Sequence, residues 1–368
     1  MSNMMGIIKL DGANSMLKEL CEHRPVASLP IAGRYRVIDF AVSNMVNSGI
    51  GNVGVLLSAK ARSIFDHLRS GKDWDLARHR GGLSYLPSDS YDGKPVTGDL
   101  SGMYHNLDYV QHASADYVLV AQADSVYNVD FRSALLFHQN TGADITMMYT
   151  KAREDIPGDA AVMKVADNGR VTDIAKQMTT LKGTNDFLGV YLMSKDTYVK
   201  VVSQGFERGG TDLLLDGIIR NMDEYSIFAC EHKGHVDRIN STMAYYNANR
   251  AFLNPEIWAE IFMGDNVIHT KTKDAAPVQY KETAKVTNSL VANGCVIRGE
   301  VENSILFRDV KVAEGVKIKD CIIMERCVIE DDAMLRDVIC DKNVIVSKDQ
   351  WLKGAENYPL IVAKGTRI

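Results

Sequence analysis

Beyond residue 285 the chain keeps a six-residue beat. Val310, Val316, Ile322, Val328 and Met334 are equally spaced, and Asp309, Gly315, Cys321, Cys327 and Ala333 precede them one by one. Hexapeptide periodicity is the signature of a parallel β-helix, in which each short strand stacks on the one below and one residue per strand points inward. Residues 285–368 are therefore expected to form a left-handed parallel β-helix. Coils of this type occur in many acyltransferases, which generally need a histidine base beside the coil. The last histidine here is His269, before the repeats, so a structural and assembly role is expected, with exposed faces suited to subunit contacts.

Residues 1–245 follow another rule. The apolar runs GIIKL, NVGVLLS, YVLVAQAD, ADITMMY, AVMKV and FLGVYLM alternate with helical patterns, which argues an α/β domain with a mostly parallel sheet. Ligands of such sheets bind beyond the carboxyl ends of the strands. That rule gathers residues 10–14, Asp124 and the segment after Val162 around one crevice. Residues 246–284, containing Pro255 and Pro277, are expected to connect the two domains.

Composition excludes more than it selects. The 368 residues, 46% hydrophobic and 24% charged, suffice for a large core and two domains. A net charge of -5 gives no electrostatic support for a nucleic-acid partner. No apolar run approaches the ~18 residues that span a bilayer, and no charged leader precedes one, so a cytoplasmic protein is expected. The six cysteines show no C-x-x-C spacing. No histidine lies between Cys295 and Cys340, so free buried thiols are expected rather than a zinc site.

Residues 33–50, GRYRVIDFAVSNMVNSGI, place Val37, Ile38, Phe40, Ala41, Met45 and Val46 at helical spacing, with Asp39, Ser43, Asn44 and Asn47 on the other face. Gly49 ends the helix before a short apolar strand. Arg34 and Arg36 stand just ahead of it as candidate anion ligands, because a guanidinium offers several fixed donors. As a string, residues 24–50 closely resemble the N-terminal pattern of glucose-1-phosphate adenylyltransferases (ADP-glucose pyrophosphorylases), R-A-K-P-A-V-P-F-A-G-K-Y-R-x-I-D-F-x-L-S-N-x-x-N-S-G-I. The resemblance continues through YVLVAQADSVYNVDF (117–131), FLGVYLM (187–193), AYYNAN (244–249) and the repeats. It implies a Rossmann-like nucleotidyltransferase domain ahead of the β-helix.

It also implies a reaction, in which the phosphate oxygen of glucose 1-phosphate attacks the α-phosphorus of ATP and releases pyrophosphate. Such chemistry needs a phosphate cradle, a basic clamp and a divalent metal. The family cradle G-G-x-G-T-R-L corresponds here to residues 11–17, DGANSML. Asp11 would repel phosphate, Asn14 replaces a glycine and Met16 replaces the arginine. Losing one transition-state donor costs about 3–4 kcal/mol. Val26 fills the basic position of R-A-K-P, and GDLSG (98–102) replaces G-T-A-D-A. In the E-K-P segment Gln177 takes the phosphate-binding lysine's place, unless a register shift lets Lys176 serve, and Phe187 stands where a serine is expected.

Asp124 matches a family Mg²⁺ aspartate and is the surviving position. The second metal aspartate falls on Arg238, where a guanidinium about 4 Å from a divalent ion would be repelled by roughly 8 kcal/mol at an effective dielectric of 20; a one-residue slip would put Asp237 there instead. The departures resemble those of the non-catalytic partner subunit found in some bacterial glycogen pathways. The resemblance thus implies a regulatory subunit with no competent catalytic residues and no resident metal, assembled with a catalytic subunit as a heterotetramer and open to a phosphorylated effector. Two other readings remain: an active nucleotidyltransferase with a divergent loop, using Mg²⁺, and a sugar-phosphate or nucleotide sensor.

Overall fold

The computed structural model describes residues 4–10, 15–57, 60–88, 90–91, 94–95, 98–151, 161–176 and 185–368. Contacts divide the chain into two compact units. The first comprises residues 1–12, 40–236 and 265–269, and the second residues 13–39, 237–264 and 270–368.

At the centre of the first unit lies β1 (Met4–Lys9), buried along its whole length. A strand covered on both faces reads as a continuous apolar run, as MMGII does. It pairs in parallel with β2 (Asn52–Leu56) and β4 (Tyr117–Gln122), and β2 pairs in parallel with β3 (Gly82–Leu86). Beyond β4 the sheet turns antiparallel through β8 (Asn185–Ser194). That strand also pairs with β5 (Ile145–Lys151) and β6 (Val162–Val165), β6 carries β7 (Val171–Ala175), and β5 runs parallel to β9 (Ile227–Glu231). Every apolar run singled out in the sequence forms a strand. β3, β7 and β9 were not among those runs.

The helix read from residues 33–50 is α1 (Val37–Asn47). The helix is buried on its polar face as well: Asp39, Ser43 and Asn44 are fully buried. Each is satisfied by a backbone group. Asp39 Oδ2 accepts the Arg36 N–H at 2.9 Å, Ser43 Oγ accepts that of His269 at 2.9 Å, and Asn44 holds Tyr127 O and the Val129 N–H at 3.0 and 3.2 Å.

In the second unit, three five-stranded parallel sheets form the sides of the β-helix. Stacked partners lie 17 residues apart, as Lys311, Val328 and Ile345 do. An earlier, shorter coil brings Val296 under Lys311. A 17-residue coil has two six-residue sides and one of five, so the uniform beat drifts. Val310 and Val316 are fully buried, whereas Met334, the last of the five, is 45% exposed. The inward columns follow the five-residue step instead: Val316 and Ile318, Cys321 and Ile323, Cys327 and Ile329, and Ala333 and Leu335 all join one core. Each side turns two alternate residues inward, as an extended strand must.

The corners carry the geometric cost. Asn303, Asp320 and Asp337 stack with φ near +50°, and Asp309, Arg326 and Asn343 near +61°. Asn and Asp tolerate this left-handed region better than other side chains. One sheet of the coil, containing Ile305, Ile322 and Ile339, is buried on its outer side as well. Helix α2 (Thr242–Ala251) reaches that side, with Tyr246 Oη donating to Asp320 O at 2.7 Å and Arg250 paired with Asp320 at 3.2 Å. Among the described residues no helix is long and apolar enough to cross a membrane.

Candidate functional site

In the first unit the carboxyl ends of β1 and β4 lie side by side, with Lys9 in register with Gln122. Asp124 follows two residues later and is 5% exposed. Its carboxylate accepts Gln122 Nε2 at 3.0 Å and Ser125 Oγ at 2.7 Å. Among the described residues no group of three His, Cys, Asp or Glu side chains is placed to hold a metal ion. Asp124 is thus a hydrogen-bonded carboxylate outside any such group. Phe187 is 3% exposed, packed at 4.8 Å from the Tyr191 ring within the core.

One cation here escaped the reading of the sequence. Lys9, the last residue of β1, is 8% exposed and forms an ion pair with Asp99. Its ammonium also lies 5.9 Å from the centre of the Tyr191 ring. Beside it, Lys176 pairs with Asp212 at 2.6 Å. Burial raises the Asp212 carboxyl, but the Lys176 hydrogen bond, the Leu215 N–H and nearby Lys9 outweigh it and hold the group below its ordinary value. A lysine ending an apolar strand was the available signal for Lys9.

The second unit holds Arg34, Arg36, Met16, Val26 and Arg238. Arg34 is exposed, and Arg36 is half-buried. Around them the fold gathers Arg24, Lys273, Arg308 and Lys342, none singled out as a cation from the sequence. Arg24 pairs with Asp341 at 2.8 Å, and Glu325 takes both Lys273 at 2.8 Å and Lys342 at 2.7 Å. Arg308 Nη1 donates to Arg34 O at 3.4 Å, while its Nε is buried without a hydrogen-bond partner. Burial lowers the Arg308 pKa; Glu325 opposes that shift and Arg34 adds to it. Lys342 is lowered to about 8, first by burial and then by Arg36 and Arg24, against the opposing pull of Glu325. Cations that perturb one another this way, with an orphaned guanidinium nitrogen among them, form a site suited to an anion.

The degraded positions sort by environment. Val26 is 1% exposed inside a buried 3-10 turn, and Met16 is 52% exposed on a neighbouring one. Arg238 lies in the short strand Asp237–Arg238. Asp11, Asn14 and Gln177 lie outside the described residues.

A mostly parallel nucleotidyltransferase sheet followed by a hexapeptide coil defines the class. Residues 5–177 match the nucleotidyl transferase family model, and residues 275–353 match the GlmU-like C-terminal hexapeptide model. Within that class, the chain is 34% identical to the glycogen biosynthesis protein GlgD of Bacillus subtilis, over 99% of this chain and 96% of that one. It is 33% identical to GlgD of Geobacillus stearothermophilus, over 99% and 97%. A glucose-1-phosphate adenylyltransferase of Mycoplasma mobile is 28% identical over 86% and 84%. The chain belongs to the GlgD family.

Proposed function

We propose that this chain acts in bacterial glycogen biosynthesis as a regulatory, non-catalytic subunit of glucose-1-phosphate adenylyltransferase, in the cytoplasm and in a hetero-oligomer with a catalytic homologue. Two GlgD relatives, each matched over nearly its whole length, support the pathway. The observation that carries the non-catalytic reading lies at residues 16 and 26. Where the adenylyltransferase pattern has an arginine and a lysine, this chain has an exposed Met16 and a buried Val26. Neither can donate a hydrogen bond or neutralise a phosphate. The cluster of Arg34, Arg36, Arg308 and Lys342 supports binding of a phosphorylated effector in the second unit.

A partner can change the activity of a catalytic subunit only by binding its states with different affinity. An effector held by this cluster would bias that choice from a unit that carries no chemistry of its own. The test is pyrophosphate release from ATP and glucose 1-phosphate with Mg²⁺ by the isolated chain. Silence supports the reading. Robust turnover supports the second one, an active nucleotidyltransferase with a divergent loop, which the retained Asp124 favours.

A further inference from the structure

The crevice of the first unit contains a buried cation that the proposed function does not use. A buried ammonium is tolerated only when paired and hydrogen-bonded, and Lys9 meets this demand within the chain. Its partner Asp99 is held in place from two sides. Leu213 donates its N–H to Asp99 Oδ1 at 2.9 Å, and Leu100 donates its N–H to Thr211 O at 3.2 Å. Gly98, at φ +78°, has no room for a side chain, because a Cβ there would fall 2.0 Å from Thr211 O. The backbone ahead of Asp99 is therefore clamped against residues 211–213, and the carboxylate is aimed at the end of β1. Asp212 and its partner Lys176 are further charged groups at this place, with the Tyr191 ring on another side of the ammonium.

Lys9 ends a parallel strand beside Gln122, where ligands of open α/β sheets meet the protein. An ammonium at such a place is a natural partner for a ligand phosphate. We propose that Asp99 is an internal counter-anion that occupies Lys9 in place of a ligand's phosphate and keeps the crevice self-neutralised. The contact is autoinhibitory towards polyphosphate binding. It deepens the non-catalytic reading, on which it rests: the chain would be silent because Lys9 is already taken, as well as because donors at residues 16 and 26 are lost.

The probe is inorganic tripolyphosphate, titrated by calorimetry into the wild-type chain and into Asp99→Asn, Asp99→Thr, Lys9→Met and the Lys9→Met/Asp99→Asn double variant, each first checked for folding by circular dichroism. Freeing a charged donor is worth about tenfold or more in affinity. Asp99→Asn and Asp99→Thr are expected to bind at least tenfold tighter than wild type, and Lys9→Met and the double variant no tighter than wild type. Equal affinity in the wild type and both Asp99 variants would overturn the proposal. So would tight binding by the double variant, because the gain would then not run through Lys9. Loss of folding in both Asp99 variants would make the pair a structural requirement and overturn it too. Pyrophosphate release by the wild-type chain is measured alongside: turnover would sink the non-catalytic reading, whereas unchanged tripolyphosphate affinity with no turnover would sink only the counter-anion.

Discussion

Lys342 is the residue whose protonation matters most to the second unit. Its folded pKa of about 8 lies below the usual 10.5 of a lysine. In the window between those values the unfolded chain binds more protons, so this group alone adds stability as pH rises through it. Anion binding moves the opposite way, because the cation is lost. Sulfate, fully ionised throughout, is expected to bind several-fold more weakly at pH 9 than at pH 7, and Lys342→Met should flatten that dependence; calorimetry at the two values checks both. Lys9→Met makes a second case, since removing one partner of a buried pair leaves the other uncompensated. A loss of about 3 kcal/mol is expected in urea unfolding. The thiols supply a third. Burial pushes Cys321 and Cys327 up to about 12 and Cys295 to about 11, so these cysteines should resist a thiol reagent in the native protein and react once it is unfolded.

At the scale of elements, pattern and burial agreed where one period ruled. The apolar runs became strands because a parallel sheet covered on both faces needs nothing more elaborate than continuous apolarity. The coil was legible in kind but not in register. A strict six-residue count carries Val310 and Val316 inward yet leaves Met334 outside, since one side of each 17-residue coil holds five residues. Helix α1 was legible as a helix, while the partners of its polar face were not: Ser43 and Asn44 meet backbone groups of distant segments, and Asp39 turns back onto the Arg36 N–H. The corner glycines are testable here. At Gly315, φ +74°, an added Cβ would fall 2.1 Å from the Asp332 carboxylate. Gly315→Ala should therefore destabilise the protein by about 1–3 kcal/mol, read as a lower urea midpoint with an unchanged slope.

For the whole molecule, resemblance carried the reading of sites further than spacing could. It pointed to Met16 and Val26, which the fold places in the coil-bearing unit with Arg34 and Arg36, and to Asp124 and Phe187, which it places with the sheet. What it left out are the groups that complete each site. Arg308, Glu325 and Lys342 lie in the repeats, hundreds of residues from Arg34, and Lys9 meets Asp99 across ninety positions; such pairs form only when the sheet and the coil are built. Division of labour between chains belongs to the proposed function. On the proposed function, a chain that keeps the fold but carries Met16 and Val26 at the arginine and lysine positions acts on the reaction through a partner. The measurement closest to that claim is the rate of ADP-glucose formation by a catalytic homologue from the same organism as this chain is titrated into it, with complex formation followed by light scattering. A saturable rise in rate, together with a hetero-oligomer, is expected. An unchanged rate with no complex would contradict the account.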